Sequence, residues 1–134
     1  LIMLPKHSLC IDLLQMKRIQ SVSQLQVELR YQQEMNSLSR LCQQKSSYLN
    51  RYDQLFRYIT LWLLQHGYDL TDYQPHQTLK AVCLSHFPNW DIEEVVRQRH
   101  LLKKGLKLNP ESDVDQELQH CVNTFQALLQ AYEF

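Results

Sequence analysis

Residues 47–67 read SYLNRYDQLFRYITLWLLQHG and carry the clearest helical pattern in the chain. Apolar side chains recur here every three or four positions, as on one face of a helix. The members of this stripe are Leu49, Tyr52, Leu55, Phe56, Ile59, Leu63 and Leu64. Gly67 stands where the left-handed residue after a helix usually falls, so a helix is predicted over residues 47–66. Because Tyr58 and Trp62 lie partly off the stripe, we expect this helix to be central or to form an interface.

The rest of the chain predicts further helices and no strands. It holds only two glycines and four prolines, and no run alternates between apolar and polar positions. Helical patterns are predicted over about residues 22–45, 75–87, 92–104 and 112–132, with a short helix or an amino-terminal arm in residues 1–20. The expected fold class is therefore all-α, an antiparallel up-down bundle of four to five helices.

Local signals mark two of the helix ends. Asp91 with Glu94 three residues later has the form of a capping box, and Gly105 is placed to close the helix that follows. Ser112, with Asp115 three residues later, is expected to cap the last helix.

The helix predicted at residues 22–45 is rich in glutamine, and its apolar stripe is imperfect. We expect it to pack against a partner helix through this stripe. The members of the stripe are Leu25, Leu29, Met35, Leu38 and Cys42.

Composition limits the classes of function. At 134 residues the chain is expected to be one helical domain with a single core. Fourteen Lys and Arg side chains balance fourteen Asp and Glu, so any nucleic-acid contact has to be a local patch, which argues against a histone-like binder. No apolar run reaches the roughly 18 residues that a membrane span requires. The first residues lack the pattern of a signal peptide, and no contact with a membrane is expected.

The four cysteines are widely spaced, at positions 10, 42, 83 and 121, and form no C-x-x-C pair. That spacing is typical of buried thiols in a reducing compartment, so we predict a cytoplasmic protein. No pair of histidines has the spacing of a metal-binding motif, and two glycines are too few for a phosphate-binding loop. Neither a metal ion nor a cofactor is expected.

The densest group of like charges lies in residues 90–105, WDIEEVVRQRHLLKKG. Its basic members are Arg97, Arg99, His100, Lys103 and Lys104. Repulsion among exposed cations at helical spacing costs a few tenths of a kcal/mol per pair. Four explanations are open: an anionic partner, an active site, a solvated helix face, or pairing with carboxylates on the next helix. The carboxylates in reach are Asp113, Asp115 and Glu117.

Three stretches together resemble the HEPN domains of bacteria and archaea. They are YDQLFRYITLWLLQHGYDL from Tyr52, PHQTLKAVCLSHF from Pro75, and DIEEVVRQRHLLKKG from Asp91 with an amphipathic helix after it. HEPN domains are antiparallel helical bundles with a similar order of motifs: a "YDAL…LLL…GY" helix, a "(P)…H…" helix, an "…R..RN…(H/Y)" segment and a long last helix. The resemblance covers about residues 47–132.

The resemblance implies two kinds of activity. Many HEPN domains are metal-independent ribonucleases, often toxins, in which an Arg, the polar residue after it and a terminal His meet across a homodimer interface. Others are inactive companions of small nucleotidyltransferases, or accessory domains that hold a nucleotide or RNA. In this sequence the motif arginine is Arg99, the polar residue is His100, and the terminal His falls at Lys104, or at Lys103 with a slip of one residue. A homodimer is implied, and a nucleotidyltransferase-type antitoxin is a candidate partner.

Lysine in place of the motif histidine changes the expected chemistry. Cleavage of RNA through its 2′-hydroxyl needs a group that exchanges protons near neutral pH, as imidazole does, whereas an exposed ammonium titrates near about 10.4. Lysine can still hold a phosphate. We therefore predict that Arg97, Arg99, Lys103 and Lys104 bind phosphate or RNA, and that Arg99 and His100 are the candidate catalytic residues.

The sequence thus predicts a module that binds RNA or nucleotide phosphate and is a degenerate relative of ribonuclease toxins. One alternative is a non-catalytic adaptor, in which the glutamine-rich helix and the core helix recruit a protein partner and the basic cluster is salt-bridged. Another is an active metal-independent ribonuclease, which requires His100 or His76 to replace the motif histidine. More often a histidine placed like His76, directly after a helix-starting proline, caps or packs.

Overall fold

The computed structural model describes residues 6–130, which form six helices and two short strands. In chain order the elements are α1 (Lys6–Gln15), β1 (Ile19–Ser21), α2 (Gln24–Gln43), α3 (Tyr48–Gln65), β2 (Tyr68–Leu70), α4 (Pro75–His86), α5 (Ile92–Lys103) and α6 (Ser112–Gln130). The protein is therefore predominantly helical, as predicted. The amino-terminal segment contributes α1, while the predicted end of the last helix, at residue 132, lies outside the described residues.

Helix α3 occupies the predicted range because both of its ends are capped. The Ser47 hydroxyl accepts a hydrogen bond from the backbone N–H of Asn50 at 3.1 Å. After the other end, Gly67 has a φ of +88°, which glycine adopts without steric cost. Eleven of the 18 residues of α3 are buried, chiefly against α2 and α6 and also against α4, α5 and β2. The wide apolar surface of this helix is thus covered within the chain.

An ion pair between Glu34 and Arg57 holds helix α2 on α3, and α2 therefore buries a different face from the predicted apolar stripe. The Glu34 carboxylate, only 4 % exposed, accepts hydrogen bonds from Arg57 of α3 at 2.9 Å and from Arg30 at 3.0 Å. Arg30 also binds Asp69 of β2 at 2.7 Å. Of the predicted apolar stripe only Leu38 is buried, because a buried carboxylate needs cationic partners on the same face. The other members are exposed: Leu25, Leu29, Met35 and Cys42.

The two strands were not predicted. β1 pairs with β2 in antiparallel register, from Ile19 opposite Leu70 to Ser21 opposite Tyr68. Three residues are too few to show an alternating pattern, and the pairing joins segments far apart in the sequence. The small sheet fixes the connector that leads from α3 to the start of α4.

Helices α4 and α5 begin, and α5 ends, where the sequence signals predicted. Pro75 is the first residue of α4, and the Asp91 carboxylate caps α5 by accepting from the backbone N–H of Glu94 at 3.2 Å. Gly105, with a φ of +72°, closes α5 by donating its N–H to the carbonyl of Leu102 at 3.2 Å.

The predicted cap of the last helix is wrong by one residue. Ser112 already lies in the first turn of α6, and the carbonyl of Glu111 accepts from the backbone N–H of Asp115 at 3.0 Å. The Asp115 side chain binds Arg51 of α3 instead, at 2.6 Å. This ion pair ties the start of α6 to the start of α3.

Buried apolar side chains from α1 to α6 form one core, in which the Trp62, Tyr52 and Phe125 side chains are the largest that are fully buried. The cysteines are free thiols, and all are buried except Cys42, which is exposed against expectation. Within residues 6–130, no helix has both the length and the apolar character needed to cross a membrane.

Candidate functional site

The basic residues of α5 point in different directions. Successive residues on a helix are rotated by about 100°, so Arg97 and His100 face solvent while Arg99 turns towards α3. Lys103 and Lys104 are exposed at the carboxyl end of the helix, where the helix dipole favours cations. The cluster seen in the sequence is therefore divided between the surface and an inward-facing arginine.

Arg97 already has a carboxylate partner. Its Nε and Nη2 donate to the two carboxylate oxygens of Glu94, each at 2.9 Å. Hydrogen bonding from Arg97 lowers the pKa of Glu94 to about 2. Since the pair is exposed, it adds little to stability.

Arg99 differs from every other arginine within residues 6–130. Each of the others donates at least one hydrogen bond to a side chain, whereas Arg99 makes neither a hydrogen bond nor an ion pair. Its Nε is buried without an acceptor, which costs about 1–3 kcal/mol for a buried donor. The guanidinium lies over the ring of Tyr52, with Cζ 4.9 Å from the ring centroid. The Tyr52 ring thus positions the Arg99 guanidinium, whose N–H groups donate no hydrogen bond within the described residues.

Tyr52 also contacts His76, the second residue of α4. The Tyr52 hydroxyl lies 2.9 Å from His76 Nδ1, and the Tyr52 side chain is fully buried. Burial raises the pKa of Tyr52, so its hydroxyl stays protonated at neutral pH. When this hydroxyl donates to Nδ1, the neutral imidazole carries its hydrogen on Nε2 and can donate it to a ligand.

The His76 ring stands in a region of excess positive charge. Burial lowers its pKa, and the charges of Arg99, Lys103 and Lys80 lower it further, so the ring is neutral at pH 7. The Lys80 ammonium is bound to Glu93 at 2.9 Å, whereas Arg99 and Lys103 have no carboxylate partner among the described residues. A bound anion would raise the pKa of His76.

We call Tyr52, His76, Arg99 and Lys103 the His76–Arg99 cluster. It lies where α3, α4 and α5 meet, and His76 stands in the first turn of α4, at the positive end of that helix dipole. Two cations and a neutral imidazole together provide donors for an anion with several oxygen atoms, such as a phosphate, and the positive end of the α4 dipole favours the negative charge.

The structure brings together some of the predicted site residues and separates others. Arg99 and Lys103 belong to the cluster, Lys104 follows at the end of α5, and Arg97 and His100 face away from it. The His100 side chain makes no hydrogen bond within the described part of the chain. The predicted carboxylates of α6 do not pair with Arg97 or Arg99 there either, and Asp115 binds Arg51 instead.

The sequence predicted that Tyr52 lies in the core or at an interface, and that His76 more often caps or packs than acts as a catalytic histidine. The position of His76 directly after Pro75, in the first turn of a helix, was the available signal. No rule of local spacing relates residue 76 to residues 52 and 99, because each lies on a different helix.

Among residues 6–130, no group of three or more His, Cys, Asp or Glu side chains is placed to hold a metal ion. Comparison with protein-family models, with curated proteins and with solved structures found no match.

Proposed function

We propose that this chain is an HEPN-like helical bundle that binds RNA or nucleotide phosphate, with Arg99 as the principal anion ligand. One observation carries the proposal: Arg99 is the arginine, among those described, that has no acceptor for its guanidinium, and its Nε is buried. A structural arginine held in this way would be expected to have a carboxylate beside it.

The neighbours of Arg99 support a phosphate rather than a carboxylate as the missing acceptor. A phosphate offers several oxygens, so it can accept from the Arg99 fork and from His76 Nε2 at once. The exposed ammonium groups of Lys103 and Lys104 can reach the flanking phosphates of a chain. Arg97 can assist only by leaving Glu94, so its contribution is expected to be smaller.

The order of motifs supports the same assignment, because Arg99 is the residue that matches the HEPN arginine. Lysine at position 104, where the family has a histidine, fits a degenerate relative of ribonuclease toxins. A homodimer and a nucleotidyltransferase-type antitoxin partner stay predictions. Since α3 is covered by other elements of its own chain, its apolar character is no longer a reason to expect a dimer.

Titration of a short labelled single-stranded RNA by fluorescence anisotropy at several salt concentrations tests the proposal. Each phosphate neutralised on a single strand contributes a slope of about −0.7 in log K against log salt. Contacts from Arg99 and Lys103 to two phosphates therefore predict a slope of about −1.4 or steeper. A slope near zero, or no binding at low salt, would contradict the proposal.

A second candidate function, metal-independent cleavage of RNA, is favoured by the imidazole of His76 beside Arg99. In the tautomer with hydrogen on Nδ1, Nε2 is free to take the proton from a 2′-hydroxyl as that oxygen attacks the phosphorus, and Arg99 would stabilise the charge on the phosphate. The imidazolium formed in this step would then give its proton to the leaving 5′-oxygen, through a water molecule.

This candidate predicts products with 2′,3′-cyclic phosphate and 5′-hydroxyl ends in the presence of chelator. His76→Ala and Arg99→Ala are expected to abolish cleavage, while His100→Ala, at the exposed histidine, serves as the matched control. If purified protein gives no such products, this second candidate function is wrong. If His100→Ala alone removes activity, the acid–base group is His100 and not His76.

A further inference from the structure

A cavity lies beside the His76–Arg99 cluster, between the carboxyl-terminal half of α2 and the middle of α3. Its volume is about 300 Å³, and Arg40, Leu41, Gln44, Asp53, Phe56 and Arg57 are among the residues that line it. Cavities that hold small molecules have volumes of about 300–1,000 Å³, so this one is large enough for a single compact group.

Two residues of α3 connect the cavity with the cluster. The Phe56 ring lines the cavity and meets the His76 ring edge-on, with the centroids 5.3 Å apart. Asp53 also lines the cavity, and its charge raises the pKa of His76 against the opposing effect of the nearby cations. A ligand anchored at the cluster can therefore extend along α3 into the cavity.

Asp53 is the unexpected member of this arrangement. It is exposed, and within residues 6–130 its carboxylate makes no hydrogen bond and no ion pair. A carboxylate beside a phosphate site repels the phosphate, which a site for phosphate alone would avoid. The ribose 2′-hydroxyl, however, can donate a hydrogen bond to a carboxylate, and this is how an acidic residue binds ribose in dinucleotide sites.

The remaining lining residues suit a nucleobase. Phe56 offers an aromatic face and Arg40 a planar guanidinium, and both kinds of group stack on bases. Among residues 6–130, Arg40 is bound only to Ser37 of its own helix, at 3.1 Å, so it is free to move onto a base. The Gln44 side chain makes no hydrogen bond in the described structure and has both a donor and an acceptor for a base edge.

We propose that the ligand is a ribonucleotide unit, with its phosphate on Arg99 and His76, its ribose 2′-hydroxyl on Asp53 and its base in the cavity against Phe56. This inference rests on the proposed phosphate-binding function and adds where the ribose and the base bind, with Asp53 as the residue that distinguishes ribose from deoxyribose. The 2′-hydroxyl is the group by which a protein distinguishes RNA from DNA at one site. A free nucleotide and one unit of a single-stranded RNA present the same chemistry here.

Chemical-shift titrations by NMR test the assignment with three sets of probes. The first is inorganic phosphate, the second is the four ribonucleoside 5′-monophosphates with their 2′-deoxy counterparts, and the third is a short single-stranded RNA with the DNA of the same sequence. We expect at least one ribonucleotide, or the RNA, to bind about tenfold more tightly than its deoxy counterpart, as the loss of one hydrogen bond to a charged group implies. Tight binding of the nucleotide alone would identify a free nucleotide, and tight binding of the RNA alone a strand.

Asp53→Ala separates a ribose contact from a purely electrostatic effect. It is expected to abolish the preference for ribose and at the same time to strengthen binding of inorganic phosphate, because a neighbouring negative charge is removed. Asp113→Ala, at an exposed carboxylate on α6 that does not line the cavity, is expected to change neither.

Equal binding of ribose and deoxyribose probes by the wild type would overturn the ribose assignment, and so would a preference that Asp53→Ala leaves intact. If phosphate or RNA still binds through Arg99 in those cases, the proposed phosphate-binding function stands without it. If none of the probes binds, both the function and the ribose assignment are wrong.

Discussion

Replacing Arg99 with alanine is expected to weaken binding of single-stranded RNA by at least about tenfold. A hydrogen bond that involves a charged group contributes about 1.5–3 kcal/mol, and 1.4 kcal/mol corresponds to a factor of ten in affinity. Arg99 is positioned on the Tyr52 ring and has no other acceptor within residues 6–130, so its terminal Nη groups, which are not buried as Nε is, are available to the ligand. Fluorescence anisotropy with a labelled RNA, at one low and fixed salt concentration, measures the change.

Arg97→Ala is the matched control, because it removes the same charge from the same helix. Arg97 is exposed and bound to Glu94, so its removal is expected to weaken binding by less than about threefold. Arg99→Lys keeps the charge and loses the planar fork, and an intermediate affinity is expected. Equal losses in Arg97→Ala and Arg99→Ala would show that the RNA responds to net charge and not to a site at Arg99. Circular dichroism of each variant checks that the helices are intact.

Trp62→Ala is expected to lower the free energy of unfolding by about 3–5 kcal/mol, the usual range for a large aromatic side chain deleted from a core. Trp62 is 1 % exposed and lies on α3, the helix that most other elements contact. Its ring packs 4.4 Å from the ring of His66 and 5.3 Å from that of His86, measured between centroids. The neighbouring elements cannot close the resulting space without moving several helices at once. Urea denaturation followed by circular dichroism gives the change directly.

Leu25→Ala serves as the control for this prediction. Leu25 is 65 % exposed on α2, so its truncation is expected to change stability by less than about 0.5 kcal/mol. A loss below about 1 kcal/mol for Trp62→Ala would mean that α3 is not the centre of the core. The same experiment would then place in doubt the position of Tyr52, and with it that of Arg99.

The sequence predicted those parts of the fold that depend on neighbours along the chain. The length of α3, the turn at Gly67, the cap at Asp91 and the end of α5 at Gly105 follow from helical spacing and from backbone preferences of single residues. Arg99 was likewise identified as the arginine of interest from the order of the motifs. Such features involve atoms within about one helical turn, so the sequence contains all of the information that they need.

Local spacing failed where the partner lies far away in the chain. The face that α2 buries is decided by the ion pairs of Glu34 with Arg57 and Arg30. Arg57 lies on α3, so the spacing of apolar residues within α2 could not predict this ion pair. The strands β1 and β2 form because they pair with each other. With three residues each, they are too short for an alternating pattern that would predict a strand.

The candidate site itself was decided by tertiary structure. Tyr52, His76 and Arg99 lie on three helices, and their distances depend on how α3, α4 and α5 cross. Packing also gives Arg97 and Arg99, which lie two residues apart, different environments. Arg97 pairs with a carboxylate on its own helix, whereas Arg99 lies on an aromatic ring and has no acceptor among the described residues. The sequence determined which cations are present, whereas only the crossing of the helices decided which of them is left unpaired, because burial and partners are properties of the packed chain.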